Sequence, residues 1–305
     1  MKTKTRISLS IIIVNWNTME LLRNCLASIY NHTKLTDFEV IVVDNNSSDH
    51  SVIMVSSEFQ KVKLISNQSN VGFAKANNQA IAEGIGEYIL LLNPDTSLRD
   101  NVIDRLYGFY KNFDKYKLGI VTCKLLNGDG SFQPSVNKFY SFWNSFTNNR
   151  LFSLKSTDNW IYSNDDKYKK IDWAHGAVMF FSRNLVQEIG LLDEQFYIYA
   201  EEIDFYLRSK KAGYLNLYLD NLSIIHLGGA SSRQNRANMF IQNYRSFFQL
   251  LKKHYGYLDY YAYRARTILY LSIWYLYFLF KNSRDSKTFA KVYSKTLLWN
   301  IGIRY

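Results

Sequence analysis

The sequence has few cysteines, few prolines and no long apolar run. It contains two cysteines and two prolines in 305 residues. Cys25 and Cys123 fall in a predicted helix and a predicted strand, without the spacing of a metal site, so we expect buried thiols and a reducing compartment. The most apolar run, residues 268–280, is shorter than the roughly 18–20 residues that span a bilayer. A disulfide scaffold and a bilayer-spanning chain are therefore disfavoured.

The N-terminal residues lack the pattern of an export signal. Residues 1–8 are basic, but the apolar run behind them, residues 9–14, is too short for a signal peptide and no cleavage site follows. We therefore expect a cytoplasmic protein. Hydrophobic residues make up 47% of the chain, which predicts a globular protein with a substantial core.

Positive charge is concentrated at the C-terminal end. Residues 1–232 hold 24 basic and 24 acidic side chains, whereas residues 233–305 hold 13 basic and 2 acidic ones, which is the whole formal net charge of +11. We expect a catalytic domain over residues 1–237 and a basic, aromatic helical region over residues 238–305.

Two interpretations of this C-terminal region stay open. It is either a helical cap on the domain or an element that lies on the inner face of the cell membrane. The second interpretation rests on chemistry, because lysine and arginine attract anionic headgroups while tyrosine and tryptophan suit headgroup depth. Nucleic acid is not expected as a partner, since the rest of the chain is charge-neutral and has no RNA- or DNA-binding motif.

Apolar runs alternate with helical patterns through the first ninety residues, and this alternation predicts a doubly wound, mainly parallel α/β sheet. Residues 127–130 (Asn-Gly-Asp-Gly) predict a hairpin turn. Residues 133–170 lack periodicity and are predicted to form a long loop. The predicted strands cover residues 8–14, 38–43, 62–65, 88–92, 118–125, 173–182 and 223–226.

The segment around Asp95 is the strongest candidate for a site. A buried strand, residues 88–92, ends in Asn93-Pro94-Asp95. Pro94 cannot donate another ladder hydrogen bond, so Asp95 is presented just beyond the carboxyl end of a strand, where ligands bind in open α/β sheets. The alternative is an Asx-type turn in which Asp95 or Asn93 binds local backbone.

Other charged or imidazole side chains also stand at predicted strand ends or helix starts. Asp44 and His226 each follow an apolar strand, although a turn residue and a core histidine are the plainer explanations. Glu201, Glu202 and Asp204 open a helix, where acidic charge is favourable. Three carboxylates within four residues still repel one another, a cost that a bound cation or a proton-transfer role would offset.

Several motifs in one order make the sequence resemble glycosyltransferase family 2, most closely its rhamnosyltransferase-like branch, over residues 7–250. The resemblance implies a GT-A fold, a nucleotide-sugar donor, Mg²⁺ or Mn²⁺, and inversion at the anomeric carbon. The motifs are residues 11–17, 43–49, 70–74, 91–95, 176–177, 192–194 and 199–204.

The resemblance also implies roles for single residues. Asn15 and Asp44 would bind the base and ribose, and Gly72 would allow close backbone approach in the same pocket. Asp95 would bind the metal, completed by His226, although Asn93 replaces the first acid of the family's motif. The donor-binding residues implied are Asn15, Asp44, Asn70, Gly72, Phe73, Asn93, Asp95 and Gly176.

Glu202 occupies the position of the family's catalytic base, which takes the proton of the acceptor hydroxyl. Glu201 and Asp204 remain possible, because the family's second acid at this position is aspartate. His175 stands where relatives often carry a small hydroxyl residue, and with Trp173 it is the candidate for acceptor contacts.

We therefore expect an inverting, metal-dependent glycosyltransferase. It would move a sugar, rhamnose being the leading candidate, to a lipid-linked saccharide acceptor in surface polysaccharide (O-antigen or capsule) synthesis. The alternative is a catalytically degenerate nucleotide-binding or scaffold protein of the same fold, suggested by Asn93 and Glu202.

Overall fold

A computed structural model describes residues 7–35, 37–140, 160–163, 166–229, 236–281 and 284–300. The strands in these ranges are β1 (Leu9–Asn15), β2 (Phe38–Asp44), β3 (Lys63–Ser66), β4 (Tyr88–Leu92), β5 (Thr96–Ser97), β6 (Leu118–Leu126), β7 (Phe132–Gln133), β8 (Val136–Asn137), β9 (Trp160–Ser163), β10 (Asp166–Lys170), β11 (Trp173–Ala174), β12 (Val178–Ser182) and β13 (Leu215–His226). The helices are α1 (Met19–His32), α2 (Ser51–Glu58), α3 (Phe73–Glu83), α4 (Val102–Asn112), α5 (Arg183–Ile189), α6 (Glu201–Lys211), α7 (Arg236–His254), α8 (Tyr257–Phe280) and α9 (Arg284–Asn300).

The central sheet is mixed and has the order β3-β2-β1-β4-β12-β6-β13-β10-β9. Strands β3, β2, β1 and β4 are parallel to one another. Strand β12 runs antiparallel to both neighbours, while β13 is parallel to β6. The predicted α/β class, a Rossmann-like and mainly parallel sheet with flanking helices, is confirmed.

The core of the sheet follows from the continuous apolar runs. All seven residues of β1 are buried, as expected for a parallel strand that is covered on both faces. Helix α1 buries the apolar side chains that repeat at helical spacing, among them Leu22, Leu26 and Ile29. Each of these contributes roughly 1.5–3 kcal/mol by leaving water, so this face of α1 fixes the helix on the sheet.

The predicted long loop over residues 133–170 is wrong for residues 160–163 and 166–170. Strands β9 and β10 form an antiparallel pair, and β10 joins the central sheet beside β13. The pairing is supported by Tyr168, which is buried with its ring centroid 5.8 Å from the rings of both Phe109 and Phe113. Residues 141–159 lie outside the described residues.

The strand predicted over residues 173–182, with a break at Gly176, is interrupted there, and its two halves join different sheets: β11 pairs with β8, while β12 lies in the central sheet. Another predicted strand differs in extent from the observed one. The last strand begins at Leu215 rather than at Ser223. Its polar start is tolerated because buried Asn216 accepts hydrogen bonds from the Ile120 amide and the Ser209 hydroxyl.

The chain forms two compact units. The first holds the central sheet and helices α1 to α6, and the second holds residues 198–200 with helices α7, α8 and α9. In the second unit, Phe247 of α7 lies 4.7 Å from Tyr263 of α8, measured between ring centroids. Within the described ranges, every helix falls short of the length or apolar character that a bilayer span requires. The domain boundary expected after residue 237 stays a prediction.

Candidate active site

The carboxyl edge of the parallel strands gathers the polar strand ends. Asn15 and Asp44 are partners at the last positions of β1 and β2. The next strand, β4, ends beside the start of β12, where the Asn93 amide donates to the Ala177 carbonyl at 3.0 Å. His226 arrives from β13 and pairs with Thr96 of β5. The structure therefore brings the sequence-predicted strand ends to one edge.

Asn15 and Asp44 form a buried polar pair. The Asn15 amide nitrogen donates to Asp44 Oδ1 at 2.8 Å and to Ser47 Oγ at 3.1 Å. Asp44 Oδ2 also accepts from the Ser47 amide at 2.8 Å. Both hydrogens of the Asn15 amide are thus used within the chain and hold Asp44 in place. A carboxylate accepts about four hydrogen bonds, so Asp44 can still accept one from a hydroxyl group of a nucleotide-sugar donor.

The loop before α3 contains Asn70, Gly72 and Phe73. Asn70 Oδ1 accepts from the Gly72 amide, and the Phe73 amide donates to the Tyr197 carbonyl at 2.7 Å. Gly72 has a φ of +91°, and a Cβ there would lie 2.6 Å from the Tyr197 carbonyl oxygen. Tyr197, which sequence reasoning missed, therefore already explains the glycine. Donor contacts of this loop stay a prediction.

Asp95 and His226 form the candidate metal site. Asp95 Oδ1 lies 3.3 Å from His226 Nε2, and Asn93 Nδ2 lies 3.5 Å from the same nitrogen. Adjacent ligands of a divalent ion with bonds of about 2.1 Å stand about 3 Å apart in octahedral geometry. The Asp95–His226 spacing fits such an ion. The described ranges contain no group of three His, Cys, Asp or Glu side chains suited to a metal, so further ligands would have to come from donor phosphates and water.

Sequence reasoning missed Gln133, which contacts the other nitrogen of the His226 ring. Gln133 Oε1 lies 2.7 Å from His226 Nδ1. The two residues are 93 positions apart in the sequence, and the only local signal was the predicted hairpin turn just before Gln133.

The acidic cluster at the start of α6 separates into three environments. Glu201 is buried, and its Oε2 has no hydrogen-bond partner among the described residues. Burial, reinforced by the neighbouring Glu202 charge, raises the pKa of Glu201 well above its usual range. Glu202 is half-buried, and its Cβ lies 3.5 Å from the position of a Cβ added to Gly176. Gly176 therefore leaves room beside the Glu202 side chain.

Asp204 is fully buried and paired. Its Oδ2 accepts from Arg208 Nε at 2.7 Å. The same guanidinium donates to the carbonyls of Ile189 and Leu191 at 2.6 and 2.9 Å. Asp204 thus fixes an arginine that binds the end of α5 and the following loop. This gives the third acid of the cluster a structural task, while its catalytic role stays an untested prediction.

The backbone just before α6 is unusual. Tyr199 and Ala200 have φ values of +68° and +67°, a left-handed conformation that is uncommon for residues other than glycine. Such strain concentrates at functional sites. It lies directly before the two glutamates in sequence.

The two residues predicted to contact an acceptor differ in exposure. Trp173 is buried and its indole nitrogen donates to the Lys138 carbonyl at 2.9 Å. His175 reaches solvent, and its ring lies 5.9 Å from the Trp173 ring. The surrounding protein atoms, together with the nearby His226, lower the pKa of His175 to about 4. His175 is therefore accessible to an acceptor, and its ring lies beside that of buried Trp173.

The chain resembles known proteins in sequence. The family model "Glycosyl transferase family 2" matches residues 10–189. The low-salt glycan biosynthesis hexosyltransferase Agl10 of Haloferax volcanii is 28% identical over 67% of this chain, which spans 62% of that relative's length. An N-acetylglucosaminyl-diphospho-decaprenol L-rhamnosyltransferase of Mycobacterium tuberculosis is 21% identical over 80% of this chain and 83% of its own length.

Two solved structures share the fold. GalNAc-T7 with UDP, GalNAc and Mn²⁺ superposes with a TM-score of 0.59 and 15% identity, over 73% of this chain and 44% of that one. The mannosyltransferase PcManGT of Pyrobaculum calidifontis, in complex with GDP-Man and Mn²⁺, superposes with a TM-score of 0.55 and 18% identity, over 98% of this chain and 88% of that one. The predicted GT-A fold is confirmed.

Proposed function

Since the chain belongs to glycosyl transferase family 2, we propose that it transfers a hexose with inversion from a nucleotide-diphosphate donor to a saccharide acceptor. The enzyme class expected from the sequence, a glycosyltransferase, is confirmed by that membership. The observation that carries the proposal is the arrangement at one sheet edge, where the Asp95–His226 pair and the neighbours of Gly176 meet.

The donor would lie along the ends of β1, β2 and β4. Asp44 would bind the nucleoside with Asn15 as its support, and the loop from Asn70 to Phe73 would border the same pocket. Asp95 and His226 would hold Mg²⁺ or Mn²⁺, which offsets the charge that develops on the departing diphosphate when it is bound. Both solved structures named above contain Mn²⁺, which supports a divalent ion here. Asn93 borders the pair as an uncharged polar neighbour.

Glu202 is the best candidate for the base. It is partly accessible, whereas burial raises the pKa of Glu201, which favours the protonated form of that carboxyl, and Asp204 is held by Arg208. A base must be ionised and within reach of the acceptor, so burial disfavours Glu201 in this role and the ion pair disfavours Asp204. It would take the proton of the acceptor hydroxyl as that oxygen attacks the anomeric carbon opposite the diphosphate.

The acceptor is proposed to be a lipid-linked saccharide in surface polysaccharide synthesis, such as an O-antigen or capsule. The mycobacterial relative is named as a diphospho-decaprenol rhamnosyltransferase, and this supports both the acceptor class and rhamnose as the sugar. His175 would contact the acceptor beside Gly176. The proposal assigns catalysis to residues 1–237 and contact with the inner face of the cell membrane to residues 238–305.

The surface of α8 supports the membrane contact. Its buried side includes Tyr263 and Leu271. The opposite side exposes large apolar residues along a helix of 24 residues, which is about 36 Å long. Exposed lysines stand at both ends of α8 and on α9, so anionic headgroups would meet positive charge beside apolar surface. The exposed apolar residues include Leu258, Tyr261, Leu269, Ile273, Leu276, Leu279 and Phe280. The lysines are Lys252, Lys253, Lys281 and Lys291.

A donor screen tests the proposed function. The chain is heated with a panel of nucleotide-sugars, with and without Mn²⁺, and the unfolding temperature is recorded, because a ligand that binds only the folded chain stabilises it. We expect one nucleotide-sugar class to protect the chain in a Mn²⁺-dependent way and to be slowly hydrolysed. Protection without hydrolysis or transfer for any donor would instead favour a degenerate nucleotide-binding protein.

A further inference from the structure

The hairpin of β6 and β7 contacts the ring of the candidate metal ligand His226. Gln133, at the end of β7, places its Oε1 2.7 Å from His226 Nδ1. Its Nε2 donates to the His226 carbonyl at 3.1 Å and to Asn127 Oδ1 at 3.0 Å. The Gln133 side chain therefore binds both the backbone and the ring of His226. Its second amide hydrogen is donated to Asn127, which lies at the start of the turn.

The orientation of the Gln133 amide is determined by its partners. A backbone carbonyl only accepts hydrogen bonds, so the group of Gln133 that faces the His226 carbonyl must be the NH₂ group. Its oxygen must then face the ring. Because that oxygen also only accepts, His226 Nδ1 must carry the ring proton in the neutral imidazole.

A second set of contacts leads to the same orientation. Asp129 Oδ1 accepts from the Ser131 hydroxyl at 2.6 Å, and these hydrogen bonds lower the pKa of Asp129, which is therefore an ionised acceptor. Ser131 Oγ in turn accepts from Asn127 Nδ2 at 2.9 Å. Asn127 Oδ1 is thereby left to accept from Gln133. The hydrogen bonds thus form a series in which each side chain donates to the next, from the His226 ring through Gln133, Asn127 and Ser131 to Asp129.

In that neutral form the outer ring nitrogen carries the lone pair, and Asn93 Nδ2 lies 3.5 Å from it. His226 Nε2 lies 3.3 Å from Asp95 Oδ1, so an acceptor faces a carboxylate oxygen without a proton from the ring between them. Two such atoms repel unless a cation lies beside both. A divalent ion needs this arrangement, because a metal-bound histidine must present an unprotonated nitrogen.

We propose that Gln133 is a positioning residue that sets the tautomer and direction of the His226 ring for metal binding, and that the turn from Asn127 to Ser131 supports it. The proposal rests on the metal site of the proposed function. Partners that hold the far nitrogen of a metal-bound histidine orient the ligand and raise its affinity for the metal. Without Gln133, the ring can protonate Nε2 instead and donate to Asp95, which occupies the direction a cation needs.

The test compares Gln133→Leu with Gln133→Glu in the metal-free chain and with Mn²⁺ alone. The ¹⁵N shifts of the His226 ring, assigned with a His226→Gln variant, report the tautomer at alkaline pH, where imidazole is neutral. Mn²⁺ affinity is measured by the paramagnetic resonance of free Mn²⁺. We expect Gln133→Leu to populate the Nε2–H form and to bind Mn²⁺ roughly 10–100-fold more weakly. Gln133→Glu still accepts from Nδ1, so it should keep the wild-type tautomer. Because its second oxygen meets the His226 carbonyl, it should lose some Mn²⁺ affinity, but less than Gln133→Leu.

Phe132→Thr is the matched control, because Phe132 lies on the same strand with an exposed side chain. It should leave tautomer and affinity unchanged. Wild-type tautomer and affinity in Gln133→Leu would overturn the proposal, as would equal losses in the Leu and Glu variants, which indicate a purely structural role. A wild-type chain that binds no Mn²⁺, either alone or together with a nucleoside diphosphate, would overturn the metal site itself, whereas the tautomer would still decide whether Gln133 orients the ring.

Discussion

Replacing Glu202 with glutamine should separate donor binding from proton transfer. Glutamine has the shape of glutamate and fits beside Gly176, but it cannot take a proton. Loss of a general base lowers turnover by about 10²–10⁴-fold, which corresponds to about 2.7–5.4 kcal/mol of added barrier at about 1.36 kcal/mol per tenfold change. Donor affinity should change little, since the described contacts of the donor edge come from other elements.

The neighbouring acids should not rescue this variant. Glu201 is 4% exposed, and burial raises its pKa, which favours its protonated form. Asp204 is 0% exposed and paired with Arg208, so its use as a base would leave a half-buried guanidinium without its carboxylate. The loss in Glu202→Gln should therefore approach the full value for a missing base.

The assay measures transfer at saturating donor together with donor affinity by calorimetry. Glu201→Gln is the matched control, because glutamine resembles a protonated glutamate, and it should keep most of the turnover. The reasoning is refuted if Glu202→Gln is nearly as active as the wild type while Glu201→Gln or Asp204→Asn is inactive.

Three further predictions follow from the described residues. Asp95→Ala should abolish transfer and Mn²⁺-dependent donor binding while the unfolding temperature without ligand is kept; equal nucleotide affinity with and without Mn²⁺ in both proteins would contradict the metal role. Burial raises the pKa of Glu201 in the folded chain. The unfolded chain releases this proton above about pH 4.3, whereas the folded chain retains it. Wild-type stability should therefore fall as the pH rises from about 4.3 through the pKa of the folded state. Glu201→Gln should flatten that fall in unfolding temperature, and identical pH profiles would count against a buried protonated acid. Ile273→Ser with Phe280→Ser should weaken binding to anionic vesicles, since each side chain is worth roughly 1.5–3 kcal/mol when fully buried. Binding should also weaken as salt rises, because each basic residue contributes about 1 kcal/mol near an anionic surface. The matched control is Ile53→Ser, which changes an exposed apolar residue of α2. Vesicle binding that responds neither to salt nor to the two α8 substitutions would identify α8 as an ordinary helical cap.

The sequence was most informative where local patterns determine the structure. Strands β1, β2 and β4 lie within one or two residues of their predicted bounds, because continuous apolar runs flanked by polar tips have few alternatives in a parallel sheet. The location of Asp95 followed from the same pattern, since Pro94 ends the ladder after Leu92. The position of Asp95 at the carboxyl edge of the parallel strands was therefore predictable.

Contacts between distant residues were not predictable from patterns. Strand β10 joins the sheet through β13, about fifty residues later in the chain, and its charged sequence shows no alternation that would reveal the pairing. The turn at residues 127–130 was predicted, but nothing local indicated that it supports His226. Gly72 was assigned to ligand approach, whereas the structure places the Tyr197 carbonyl against it.

The acidic cluster shows why chemistry at a site requires burial as well as sequence. Glu201, Glu202 and Asp204 are equivalent in a sequence, where each is an acid at a helix start. In the structure Asp204 is paired with Arg208, Glu201 Oε2 is buried without a hydrogen-bond partner among the described residues, and His226 Nε2 lies 3.3 Å from Asp95 Oδ1 and 3.5 Å from Asn93 Nδ2. Buried polar groups are nearly always satisfied within a fold. A bound proton would neutralise Glu201, and a divalent cation would lie beside both His226 and Asp95. Burial and pairing therefore distinguish three acids that are equivalent in the sequence, and they leave Glu202 as the proposed base.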